Sequence, residues 1–119
     1  MRGRRSAARE EATVSDYVLI YQGGSMPETE EAQKAVTDAW TAWFTSIGGA
    51  VKDPGNPFTP GAAKTISTDG AVSDGGLGAA SGYTILSADS LDEAVTLAKD
   101  CPVLAGGASI AVHETFDVM

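Results

Sequence analysis

The order strand, helix, strand, strand, helix, strand predicts an α+β fold of the split β-α-β kind. This is the ferredoxin-like plait, an antiparallel sheet with both helices on one face. Three features of the 119-residue sequence carry the prediction. Tyr17, Val18, Leu19, Ile20 and Tyr21 form an unbroken β-branched and aromatic run bounded by Gln22-Gly23-Gly24, which suits a central strand. Ala32, Ala35, Val36, Ala39, Trp40, Trp43, Phe44 and Ile47 recur at three- and four-residue spacing, as one face of a helix does. A second strand-to-helix unit then runs from Gly82 to Pro102, with Ser90 and Glu93 in capping-box spacing at its joint.

Taken in order, residues 1–15 show neither period and read as a flexible leader, and residues 16–119 form the domain. The first helix starts near Pro27, with Ser25 or Thr29 as its cap, and Gly48-Gly49 ends it. Its apolar stripe is expected to lie on the sheet. Residues 50–61 hold three prolines, two glycines and an asparagine and read as an irregular loop, either a stiff pocket wall or a connector anchored by Phe58. Ala63 to Ser67 is the second strand, and the turn-rich stretch from Thr68 to Gly76 is the tip of a hairpin. Gly82 to Ala88 is the third strand. Leu91, Ala94, Val95, Ala98 and Cys101 make the apolar face of the second helix, Ser90 to Asp100, and Pro102 prevents its continuation. Ser109 to Thr115 is the fourth strand, on which Ile110 and Val112 alternate with His113. A first strand that is apolar on both sides needs a cover on the face away from the helices. A second copy of the chain is the simplest one.

Composition narrows the function classes. Hydrophobic residues make up 43% of the chain, which is ordinary for a globular domain. The net charge is −8, and after Arg2, Arg4, Arg5 and Arg9 the only cations are Lys34, Lys52, Lys64 and Lys99. An acidic body with scattered lysines offers no footprint for a phosphate backbone, so nucleic acid is not an expected partner. No apolar run is long enough for a membrane helix, and no apolar segment of a secretory signal follows the arginines. Cys101 is the sole cysteine, which excludes an intrachain disulfide, fits a reducing cytoplasm and reads as a small packed hydrophobe. One His, one Cys and acids in loops give no zinc-ligand spacing, and no stretch provides for a nucleotide, metal or flavin cofactor.

Several stretches together resemble the YCII-related proteins, also called the DGPF family, over residues 16–119. They are Asp16 to Tyr21, Asp53 to Phe58 after the Trp-rich helix, Lys64 to Ser67 with Asp69 to Gly75, Gly82 to Ala94, and the closing run from Gly106 to Val112. The resemblance implies a small dimeric α+β barrel in which two plaits pack sheet to sheet. It also implies a pocket beside the sheet that has led members to be suspected of enzymatic activity, most having no assigned reaction. Where the family name reads Asp-Gly-Pro-Phe, this chain reads Asp74-Gly75-Gly76-Leu77, and it lacks the early histidine of members with a proposed His and Asp pair.

His113 is the only imidazole and so the only side chain that titrates near neutrality unaided. It reads either as a general base oriented by Asp74 or Asp53, or as a surface residue near the end of the last strand. Asp53 and Asp74 lie in Gly-rich loops, where a carboxylate either holds a turn or, if the two converge, shares a proton or orients a water. Trp40, Trp43, Phe44, Phe58 and Tyr83 are candidate pocket walls, and the helical stripe of Trp40, Trp43 and Phe44 equally suits a packed core. The expectation is a cytoplasmic homodimer that binds a small organic ligand beside residues 53–58, Asp74, Tyr83 and His113. Cofactor-free elimination or isomerisation is the chemistry such a site would suit. The alternative is a non-catalytic dimeric accessory or interaction module. Clustering of Asp53, Asp74 and His113 around one cavity separates the first from the second.

Overall fold

A computed structural model describes residues 14–118, so most of the leader, residues 1–13, lies outside the described residues. Strand β1 spans Ser15–Gly23, helix α1 Glu30–Ile47, β2 Val51–Asp53, β3 Lys64–Ile66, β4 Val72–Asp74, β5 Ala80–Ala88, helix α2 Leu91–Ala98 and β6 Ala108–Glu114. The main sheet has four strands in the order β2-β5-β1-β6, antiparallel throughout. That is the strand order of the ferredoxin-like plait, and the predicted α+β class holds.

The second strand of the plait is not where the sequence placed it. Residues 64–66 do form a strand, but it pairs only with β4 in a separate two-stranded sheet. The place beside β5 belongs to β2, inside the stretch read as irregular. Three residues carry no visible period, and Val51–Asp53 is a strand because β5 offers it an edge, with Val51 opposite Leu86 and Asp53 opposite Ile85.

The register sorts the two faces. Tyr17 pairs with Leu86, Leu19 with Thr84 and Tyr21 with Gly82, and Tyr17, Leu19, Tyr21, Thr84, Leu86 and Ala88 are buried. These point at the helices, where Ala94 and Ala98 of α2, Cys101 and Trp43 of α1 complete the core. Val18, Ile20 and Ile85 alternate with them, face away from the helices and are half-buried. The cap of α1 is Thr29, whose hydroxyl accepts from the Ala32 N–H, and Gly48 ends the helix at φ 49°. Ser90 caps α2 by accepting from the Glu93 N–H, while Glu93 accepts from the Asp89 N–H at 2.6 Å. The capping box forms, with its return bond one residue earlier than the cap.

The stripe of α1 lies on the sheet only in its second half. Trp43 is buried and its indole N–H donates to the Leu97 carbonyl of α2 at 3.1 Å, while Trp40, Phe44 and Ile47 pack around the same core. Residues 30–39 have no buried side chain. The reason is size: Ala32, Ala35, Val36 and Ala39 are too short to reach a sheet that the aromatic rings beyond them hold at a distance.

The loop after β2 lies tightly along β5. The Phe58 N–H donates to Ser81 O and the Tyr83 N–H to Asn56 O, extending the edge past the end of β2. Gly55 sits at φ 73°, and a Cβ there would lie 1.7 Å from Tyr83 O, so only glycine allows this approach. Gly55→Ala should lower stability by at least about 2 kcal/mol, read as the shift of a denaturant midpoint. Gly61→Ala has a similar φ of 75° but open space around its Cβ, and should lose only about 1 kcal/mol.

Candidate functional site

Where α1 stands off the sheet, a cavity of about 940 Å³ opens. Its roof is Ala35, Val36, Ala39, Trp40 and Phe44 of α1. Pro54, Gly55, Asn56, Pro57 and Pro60 form one wall, Pro102, Val103 and Gly106 another, and Tyr21 and Thr84 lie at the floor. Each wall follows from sequence. Prolines fix φ and stiffen the loop after β2, while Pro102 starts the short 3-10 turn Pro102–Leu104 after α2. Trp40 meets Tyr21 edge to face at a ring separation of 5.6 Å and closes the deep end.

The floor is polar but self-contained. The Cys101 thiol lies 3.8 Å from the Tyr21 hydroxyl as its donor, Tyr21 donates to Thr84 Oγ1 at 2.6 Å, and Thr84 donates to Pro54 O at 2.9 Å. The chain of donors ends on a backbone carbonyl, so it reaches no base. What it does is tie four elements together: the segment after α2, the two central strands and the loop wall. Because each hydroxyl both donates and accepts, the group can be buried without an orphaned polar atom.

Burial raises the Tyr21 phenol far above its ordinary range, and it raises the Cys101 thiol above 9.0. Both groups are therefore held neutral, and neither is a base near neutral pH.

The predicted site residues fall in several places. Tyr83 borders the cavity by its place on β5, but its register opposite Ile20 turns its ring to the face away from the helices, where it stacks with Phe58 at a centroid separation of 6.0 Å, and Phe58 is not part of the lining. Trp43 lies in the core behind the cavity, 4% exposed. Asp53 accepts from the Gly55 N–H at 2.9 Å, the turn-holding role open to it. Asp74 is ion-paired with Lys64 at the base of the β3–β4 hairpin, its side chain 89% exposed. His113 sits opposite Val18 on β6, exposed on the face away from the helices. Two strands, β5 and β1, separate β6 from β2, so Asp53 and His113 are at opposite edges of the sheet. The structure thus brings Tyr83 and Phe58 together at the β5 edge, on the face away from the helices, while Asp53, Asp74 and His113 are dispersed.

Trp40 and Phe44, candidate pocket walls in the sequence, do line the cavity, and the lining residues passed over there are Tyr21, Val36, Ala39 and Thr84. One signal pointed to them. The stripe of α1 runs from small residues to large ones, and such a gradient tilts a helix off its sheet. Among the described residues, no group of three or more His, Cys, Asp and Glu is placed to hold a metal ion. No helix there is long and apolar enough to cross a membrane.

No family model matches the chain, and no curated protein matches it by sequence. Among solved structures it is similar to the 5-chloro-2-hydroxyhydroquinone dehydrochlorinase TftG from Burkholderia phenoliruptrix AC1100, in a complex with 2,5-dihydroxybenzoquinone. The TM-score is 0.50 at 19% identity, over 84% of this chain and 93% of that one. At that identity the likeness shows a shared fold.

The raised Cys101 and Tyr21 values fix the sign of a pH effect. Each contributes stability that is complete below its unfolded value, about 9 for the thiol and 10 for the phenol, and that is lost as pH rises toward the folded value. Unfolding midpoints should therefore fall above about pH 9, and the fall should be shallower in Cys101→Ala and in Tyr21→Phe. At neutral pH, Tyr21→Phe should lose about 1 kcal/mol.

Proposed function

We propose that this chain is a YCII-related protein that binds a small, largely apolar organic molecule in the cavity beneath the first half of α1. The observation that carries the reading is the cavity itself, about 940 Å³ and walled by aromatic rings, alanines and prolines. A site of that size and lining is what a small-molecule pocket requires. The floor hydroxyls are already paired to one another, so a ligand gains little from them. It is held by ring and aliphatic contacts, with the Asn56 side chain at one wall to orient a polar atom, while the Ser81 hydroxyl, which donates to the Gly23 and Tyr21 carbonyls, can only accept. A flat ring of the quinone or hydroquinone class fits this description. The shared fold with a dehydrochlorinase solved around a dihydroxybenzoquinone favours starting the search there.

The dispersal of Asp53, Asp74 and His113 favours binding over the cofactor-free acid/base reaction expected of them, since none of the three lines the cavity. The working form of the protein in this reading is a homodimer in which two sheets meet through Val18, Ile20, Ile85 and Ala111. These residues line the face away from the helices and are half-buried in the single chain. A dimer of the full chain at micromolar concentration by light scattering is the expected result, and a monomer would remove this part.

The test of the pocket is a thermal-shift screen of hydroquinones, catechols and benzoquinones. Ala39→Phe, which places a ring in the cavity, should keep the fold by circular dichroism and abolish the rise in Tm given by the hits. If Ala39→Phe responds as the unsubstituted chain does while His113→Ala or Asp74→Asn does not, the ligand lies with those residues and the cavity reading is wrong.

A further inference from the structure

The hairpin of β3 and β4 has no place in the fold described so far. Every residue from Gly55's neighbour Asn56 through Ala79 is exposed, among them Ile66 at 71%, Val72 at 62% and Leu77 at 79%. Yet the arm is well built. Lys64 pairs with Asp74 in register and in charge, Thr65 with Ser73 and Ile66 with Val72. Its tip is a turn in which the Asp69 carboxylate accepts from the Ser67 hydroxyl and from the Ala71 N–H. Those bonds hold the Asp69 pKa below its ordinary value. A two-stranded hairpin is at best marginally stable alone in water, and one that exposes a valine opposite an isoleucine is an aggregation hazard unless something covers it.

The occupant follows from area and from the place where the arm is rooted. Four strands spaced about 4.8 Å apart and about seven residues long give a sheet face of roughly 450 Å². A stable interface takes about 800 Å² from each partner. The footprint of the sheet is therefore modest, and area added from beyond its edge would strengthen a sheet-to-sheet contact. The arm leaves the sheet at Phe58, whose ring stacks on Tyr83, and Tyr83 pairs with Ile20 on the face away from the helices. It thus departs beside the surface that a second copy would cover. From Ala63 to the tip it reaches about 20 Å at strand rise, enough to pass the width of one sheet.

We propose that the β3–β4 arm is a dimer clasp: the side bearing Ile66 and Val72 packs on the partner protomer and adds its area to that of the sheet face. This rests on the sheet-to-sheet dimer proposed above. The two-fold axis makes the exchange reciprocal, each protomer giving an arm and receiving one. Thr65 and Ser73, which point to the other side of the hairpin, remain in water.

The test pairs sedimentation equilibrium with amide hydrogen exchange on the full chain, its Ile66→Asp and Val72→Asp variants, and Ile20→Asp on the sheet face. The expected result is a dimer whose dissociation constant rises at least tenfold in either arm variant, with the circular dichroism unchanged. Arm amides such as that of Ser67 should be protected in the dimer and should exchange freely in the Ile20→Asp monomer. A dimer of unchanged affinity in both arm variants, or with freely exchanging arm amides, would overturn the clasp and leave the sheet-to-sheet dimer standing. A monomeric unsubstituted chain would overturn both. A dimer that survives Ile20→Asp but is lost in the arm variants would sink the sheet-to-sheet reading and keep the arm as the interface.

Discussion

The pairing of β1 with β5 is the constraint on which the rest depends. It runs from Ser15 opposite Ala88 to Tyr21 opposite Gly82, and a slip of β1 by one residue against β5 would send Tyr17, Leu19 and Tyr21 to the outer face. With this register, Tyr21 and Thr84 both point at the helices, within hydrogen-bond reach of each other. Gly82, opposite Tyr21, carries no side chain that would keep Asn56 and Pro57 from the strand. One register therefore sets the core, the floor of the cavity and the position of the loop wall.

The cavity arises from a conflict of sizes on a single helix. Trp40, Trp43 and Phe44 pack edge to face and tilted, with Trp40 against Tyr21 and Trp43 against α2. Burying such rings contributes several kcal/mol, far more than seating the alanines of the first half could. The aromatic half wins, and α1 pivots about it. The gap left under residues 30–39 would collapse if its other walls were soft. Pro54, Pro57, Pro60 and Pro102 are not, and the Thr84 bond to Pro54 O fixes the loop at its base.

Much of the fold was legible in the sequence, because β1, α1, β5, α2 and β6 are long enough to show a period. The capping box at Ser90 and the glycine stop at Gly48 are local chemistry and could be read directly. Strand β2 could not. Three residues following a 3-10 turn gain strand geometry only from β5, and that is a tertiary fact. The candidate site was less legible for a related reason. Asp53, Asp74 and His113 stand out in the sequence because they are ionisable, whereas the cavity is made by shape. The Tyr21 phenol at its floor and the Cys101 thiol beside that phenol are held neutral by burial, so neither stands out as a titrating group.

Sheet, cavity and arm share one piece of chain. Residues 54–60 close the cavity on one side, continue the β5 edge through the Asn56 and Phe58 bonds, and carry the root of the β3–β4 arm at Phe58. The stiffness that makes this segment a wall also makes it a lever. Its backbone is bound to β5 at Ser81, Tyr83 and Thr84, so a force on the arm is delivered to the strand that floors the cavity. A rigid connection of this kind allows coupling only if the loop has a second stable seat on β5, and Gly55, locked under Tyr83 O, argues that it has one seat alone. The proposed assembly and the proposed ligand are thus expected to act independently, each stabilising the same fixed loop.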